Sequence, residues 1–195
     1  MSYRNNQNNG RCHVVGKVYG LVMKGTYFVR TAKFLYETRN PDYWHAFNLL
    51  ASQALEILPK SIIATDICLK ENSKSIQFIR DTIYKELNSL GHRFDDIFER
   101  TPELKERLHI LHIKRSNMSG FVDEFVFTIK NEKGNKDVRI KNLEGIRYGA
   151  FARKEDYLVY YSKDVADFLS NVMEQTKNIQ LDMINKFDHK FKIQP

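Results

Sequence analysis

The chain has 195 residues, 42% hydrophobic and 12% aromatic, which is enough apolar material for a buried core and too much for a chain disordered throughout. Its 31 Lys and Arg against 24 Asp and Glu give a formal charge of +7, a balance that favours encounter with anionic partners. Only two cysteines, Cys12 and Cys68, with no CxxC spacing, argue against a disulfide framework and predict reduced thiols.

No apolar run approaches the roughly 20 residues needed to cross a bilayer, and the opening MSYRNNQNNGR lacks the apolar centre of a signal peptide. A soluble cytoplasmic protein without membrane association is expected. Residues 1–12 are polar and Asn-rich and predict a flexible, solvated tail. The next stretch, HVVGKVYGLVMK, is apolar but broken by Gly16 and Gly20, and fits a short strand as well as a helical turn. From Tyr27, YFVRTAKFLYETR puts Phe28, Ala32 and Leu35 on one face and predicts an amphipathic helix.

Asn40 and Pro41 then supply a cap and a first-turn proline for a second helix. Its apolar stripe is Tyr43, Phe47, Leu50, Ala54 and Leu58, with Ala46, Ala51 and Ala54 allowing close approach of a neighbour. Pro59 falls inside the same run and predicts a kink over 55–59. A third helix is expected over Ser75–Leu90, closed by Gly91. A fourth follows His92 on Phe94, Ile97 and Phe98. Thr101 and Pro102 open another, PELKERLHILHI. Residues 121–141 lose the helical period around Gly134 and Asn135, which predicts a β-hairpin insertion. A long amphipathic helix from Ser162 to Phe187, on Val165, Phe168, Leu169, Val172 and Ile179, ends the chain. The resulting expectation is a mainly α fold, with 13–195 forming one helical domain.

The order of YFVRTAKFLYE, WHAFNLLASQALEILPKSIIA, the tripeptide Gly91-His92-Arg93 before Phe94-Asp95-Asp96, and the late Ile146-Arg147-Tyr148-Gly149 resembles the HEPN superfamily over roughly residues 26–187. The resemblance implies an up-and-down helical bundle, a homodimer, and one of two functions. One is metal-independent RNA cleavage in toxin–antitoxin or defence systems. The other is non-catalytic binding of nucleotides, nucleic acid or an operon-encoded protein partner. The family's usual loop is Gly-His-Asp-Leu, so Arg93 and Phe94 depart from it in charge and shape.

Active members carry Arg, four to six residues, then His: the guanidinium stabilises charge developing on the phosphate and the imidazole moves the 2′-hydroxyl proton. Arg39 with His45 and Arg107 with His112 match this spacing, although a chain with six His shows such a match about once by chance. The first pair straddles the Asn40-Pro41 boundary. The second would lie in one helix, where a five-residue step leaves the side chains roughly 140° apart around the axis, so that a shared groove needs an unwound helix end or a dimer. The alternative is an exposed Arg and a satisfied His.

His109 and His112 would share a helical face but lack fixed further ligands, and no metal or cofactor is expected. His92 fits either a binding loop with Arg93 or a cap on helix-end carbonyls. Arg147, Tyr148, Arg153 and Lys154 suit phosphate contact and base stacking, or structural pairing and packing. Lys186, His189, Lys190 and Lys192 complement a helix C-terminus or form a basic tail. The leading expectation is a non-catalytic nucleotide- or nucleic-acid-binding protein. The alternatives are a metal-independent RNase using Arg107 and His112, and a protein-binding scaffold.

Overall fold

The computed structural model describes residues 2–118, 122–142 and 162–192. Among them are six α-helices, α1 (Ser2–Glu37), α2 (Trp44–Lys70), α3 (Ile76–Leu90), α4 (Phe94–Glu99), α5 (Pro102–Arg107) and α6 (Lys163–Lys192). Three strands, β1 (Ile110–Met118), β2 (Val122–Asn131) and β3 (Gly134–Asn142), form an antiparallel sheet in the order β1-β2-β3. The protein is mainly helical, and none of its described helices is long and apolar enough to cross a membrane.

α1 begins at Ser2, so the helix takes in the stretch 2–12 whose composition predicts a tail, and it also resolves the ambiguity over 13–24. A 3₁₀ turn, Pro41–Tyr43, stands between α1 and α2, and Asn40 caps it by accepting from the Asp42 N–H at 3.0 Å. α2 is continuous through Pro59 and packs against α1, α3, α4 and α6. Phe47, Ala51, Ala54, Leu55 and Leu58 are fully buried along it. α1 and α2 approach closely at Gly25, where an added Cβ would lie 2.7 Å from Leu58 Cγ. Only hydrogen fits there.

The local signals of α3 behave as expected. Ser75 Oγ accepts from the Phe78 N–H, and Gly91 closes the helix at φ 53°, a left-handed conformation that glycine adopts without a Cβ penalty. Of its apolar residues Ile79 and Leu90 are buried, whereas Phe78 and Tyr84 are exposed. Ser162 caps α6 through the Val165 N–H at 3.3 Å.

The expected helix PELKERLHILHI is corrected: α5 stops at Arg107, and Ile110 opens a strand. His109 makes the turn at φ 52°, donating its N–H to Glu106 and accepting from the Lys130 N–H through its carbonyl. The β region is also larger than the expected 121–141 insertion, because a third strand, β1, pairs with β2. In the β2–β3 hairpin, Asn131 pairs with Gly134, so Glu132 and Lys133 make the turn and Gly134, at φ 117°, closes it.

The inner sheet face completes the core. Phe125 and Phe127 are fully buried. Phe125 stacks on Phe94 of α4 at 4.7 Å, and Phe127 meets Phe98 and Phe168 of α6 at 5.3 and 5.2 Å.

Candidate functional site

Alternation along β2 sends Phe125 and Phe127 into the core and turns Glu124, Val126, Thr128 and Lys130 to the opposite face. Residues directly across the ladder share a face, so His112, Thr128 and Asp137 form one row and Lys114, Val126 and Arg139 the next. His112 reaches this face because the register shifts between Ile110 and His112. Two residues apart, they would otherwise point the same way; the bulge keeps Ile110 in the core and puts His112 outside.

The first row is a hydrogen-bonded chain. Thr128 Oγ1 lies 2.7 Å from Asp137 Oδ1 and 2.9 Å from His112 Nε2. A carboxylate has no proton to give, so the threonine hydroxyl spends its one hydrogen on Asp137 and accepts from His112. Nε2 is thereby the donor of His112, and its Nδ1 has no hydrogen-bond partner among the described residues.

Charge on this face is unevenly matched. Arg139 contacts Glu124 at 3.5 Å and Asp137 at 3.8 Å, whereas Lys136, opposite Ile129 on the inner face, pairs with Asp164 of α6. Lys114, two positions along β1 from His112, and Lys130, two along β2 from Thr128, are exposed and have no ion-pair partner among the described residues. Lys133 in the turn is likewise exposed. Lys114 stands opposite Val126, four residues from Lys130 along β2, so the two cations are about 14 Å apart along the ladder, two same-face steps of about 7 Å. No aromatic side chain joins them among the described residues of this face.

Arg107 is elsewhere and occupied. Its guanidinium meets Asp182 Oδ2 of α6 at 2.7 Å and Glu103 Oε1 at 2.6 Å. These bonds, that to Asp182 first, push its pKa above the usual arginine value. Arg107 and His112 therefore do not share a helix: one ends α5 against α6, the other sits on β1 against Thr128, and they have no hydrogen-bond partner in common. The helical His109/His112 face is corrected with them, since His109 is a turn residue. Among the described residues no group of three His, Cys, Asp or Glu is placed to hold a metal ion.

The Gly91-His92-Arg93 loop anchors a second polar cluster. His92 Nδ1 lies 2.6 Å from Glu56 Oε2, and Glu56 Oε1 binds Lys60 Nζ at 2.9 Å. Lys60 also donates to the Gly91 carbonyl at 2.6 Å. Lys60 thus caps the end of α3, a role the sequence offered to His92. Arg93 pairs with Asp96 at 2.7 Å in the first turn of α4. His92 ties the loop to α2 through Glu56, while Arg93 joins the end of α3, at the Ser89 carbonyl, to Asp96 of α4.

Arg39 adopts φ 53° beyond the end of α1 and its side chain is exposed; the side chain of His45 lies outside the described residues. Arg147, Tyr148, Arg153 and Lys154 also lie outside them. Sequence reasoning missed Glu56, Lys60, Lys114, Thr128, Lys130 and Asp137. The alternation of KNEKGNKDVRIK held a signal for Lys130 and Asp137; Glu56 and Lys60 carried the i,i+4 spacing of a helical ion pair, but nothing local tied them to His92 or Gly91.

Comparison with family models, with curated proteins and with solved structures gives no match.

Proposed function

We propose that this chain is a non-catalytic, HEPN-like protein that binds single-stranded nucleic acid through the outer face of its β-sheet. The observation that carries the reading is the pair of unneutralised cations, Lys114 and Lys130, on either side of the His112–Thr128 row. Exposed ammonium groups about 14 Å apart suit non-adjacent phosphates of an extended backbone. With no aromatic platform among the described residues of that face, contact is to the phosphates alone, without the stacking that single-strand binders commonly add. The net charge of +7 adds long-range attraction. In the same reading the helical part is an HEPN-like bundle that assembles as a homodimer. It serves a bacterial or archaeal defence or toxin–antitoxin system with an operon-encoded protein partner. The Gly91-His92-Arg93 and Ile146-Arg147-Tyr148-Gly149 motifs support this part.

A metal-independent RNase is the second reading, favoured by the chain from Asp137 through Thr128 to His112, which orients an imidazole with a free Nδ1. Against it, the charge of Arg107 is already met by Asp182 and Glu103. The test is a mixed single-stranded RNA pool in EDTA, with binding and cleavage followed for the wild type, Lys114→Glu/Lys130→Glu and His112→Ala. Binding without cleavage is expected, with the double variant about tenfold weaker or more and its log–log salt slope shallower by about 1.4. Cleavage lost in His112→Ala would replace the proposal with the RNase reading. Absence of both binding and cleavage would leave a protein-binding scaffold.

A further inference from the structure

A cavity of about 510 Å³ opens between α1, α2 and α6, inside the range of roughly 300–1,000 Å³ typical of small-molecule sites. Its walls are largely apolar; Thr65 and Gln180 in the wall are hydrogen-bonded to each other, which leaves Thr26, Arg30 and Lys177 as its other buried or charged polar groups. Val18 of α1 clusters with Cys68 of α2, which fixes one end of the cavity. Thr26 and Arg30 lie two and three turns further along α1, and Lys177 contributes from α6. The α1 wall from Val18 to Arg30 is about 18 Å long, the reach of an extended chain of roughly a dozen methylenes.

Three observations point to an occupant. The Thr26 side chain is 3% exposed, lines the cavity, and its hydroxyl has no hydrogen-bond partner. A buried hydroxyl left unpaired costs about 1–3 kcal/mol, and since the oxygen itself is sealed beneath the cavity wall, a bound acceptor would relieve it through a small shift of the neighbouring side chains. Arg30 and Lys177 have no ion-pair partner among the described residues, so the site offers two cations and no anion. At the rim, Tyr19, Met23 and Leu181 are 63%, 47% and 58% exposed, forming an apolar surface that a bound chain would cover. Cys68 belongs to the apolar wall, since burial pushes its thiol pKa up to about 11 and keeps it neutral.

We propose that this cavity binds an anionic amphiphile with one unbranched alkyl chain, a long-chain carboxylate. Its tail lies along Val18, Val22 and Ile184, and its head group accepts from Thr26, Arg30 and Lys177. The complementarity is chemical at both ends: the polar groups of the wall, Thr65 and Gln180, are already bonded to each other, and the cations select a negative head over a positive one. The site is separate from the sheet face, so RNA binding through Lys114 and Lys130 stands or falls independently.

The test is titration calorimetry of the full chain with dodecanoate and tetradecanoate below their micellar concentrations, beside dodecyltrimethylammonium as a cationic control. One saturable site is expected, with tetradecanoate roughly tenfold tighter than dodecanoate and the cationic amphiphile at least about tenfold weaker. Arg30→Gln and Lys177→Gln should each weaken carboxylate binding about tenfold. Thr26→Val should weaken it about threefold or more without lowering the melting temperature of the empty protein, because an unpaired hydroxyl is removed. As a second readout, tetradecanoate should slow alkylation of Cys68 in a Cys12→Ser background. The proposal is overturned by no saturable binding, by equal binding of the cationic amphiphile, or by indifference to all three substitutions. It is also overturned if the wild type forms a dimer that Met23→Glu and Leu181→Glu disperse, which would give this face to a second copy of the chain.

Discussion

Removing the charge of Glu56 should destabilise the protein through a cluster that the i,i+4 spacing of Glu56 and Lys60 marks only in part. The carboxylate sits between Lys60 and His92, at 2.9 and 2.6 Å, and the Glu56 and Lys60 side chains are only 14% and 12% exposed. At an effective dielectric of about 20 the gross Glu56–Lys60 attraction is about 6 kcal/mol. Desolvating both ions offsets much of it, and breaking a buried pair by deleting one partner typically costs about 3–5 kcal/mol. Lys60 keeps its bond to the Gly91 carbonyl in the variant, which limits the damage. Glu56→Ala is therefore expected to cost about 2–4 kcal/mol, and the isosteric Glu56→Gln about 1–2 kcal/mol. Urea denaturation followed by circular dichroism reads this as a lower midpoint at constant m-value. The double variant Glu56→Gln/Lys60→Met should lose less than the sum of the singles, because the second change removes the stranded cation. Additive losses, or a Glu56→Gln variant within about 0.5 kcal/mol of wild type, would refute the account of the cluster as the lock between α2 and the loop after α3.

Gly25→Ala should lower the melting temperature by about 2–8 °C: overpacking against Leu58 exceeds the roughly 1 kcal/mol gain in helix propensity, and a rise in a thermal scan would show that α1 and α2 can part cheaply. His109→Gly should stabilise by about 0.5–1 kcal/mol in urea, since a β-carbon at φ 52° is strained and glycine relieves it; a loss would show that the His109 side chain holds the α5–β1 turn. Cys68, with its pKa raised from 9.0 to about 11, binds its proton more tightly when folded. Its contribution is complete below the unfolded value and lost as pH rises through the folded one, a window of about pH 9–11 worth at most about 3 kcal/mol. The difference between wild type and Cys68→Ala in denaturation midpoints across that window measures it, and a parallel pH dependence would contradict it. Arg107→Gln should cost only about 0.5–1 kcal/mol, because both partner carboxylates are nearly half exposed. It should leave binding of the single-stranded RNA pool unchanged, and lost binding would move the nucleic-acid contact towards α5.

The sequence by itself determined what depends on near neighbours. Ser75 and Gly91 bound α3, and Ser162 starts α6, because caps act through backbone groups within a few residues. The periodic burial of Phe47, Ala51, Ala54 and Leu58 was legible in α2 for the same reason, since a helix fixes which residues share its face. The segment after Arg107 was not. Leu108, Ile110, Leu111 and Ile113 satisfy a helical stripe or a strand, and the choice fell to pairing with β2, up to 19 residues on. That pairing, with its bulge at Leu111, also removed His112 from the helix that would have carried Arg107 and set it between Lys114 and Lys130. Likewise Arg107 looked free until α6 brought Asp182 to it across 75 residues, and His92 looked like a cap until Glu56, 36 residues earlier, took its ring. Local hydrogen bonds and periodicity are properties of a segment. Which cation is neutralised and which stays available for a ligand is decided by residues that meet only when the chain folds, and that part belonged to the tertiary structure alone.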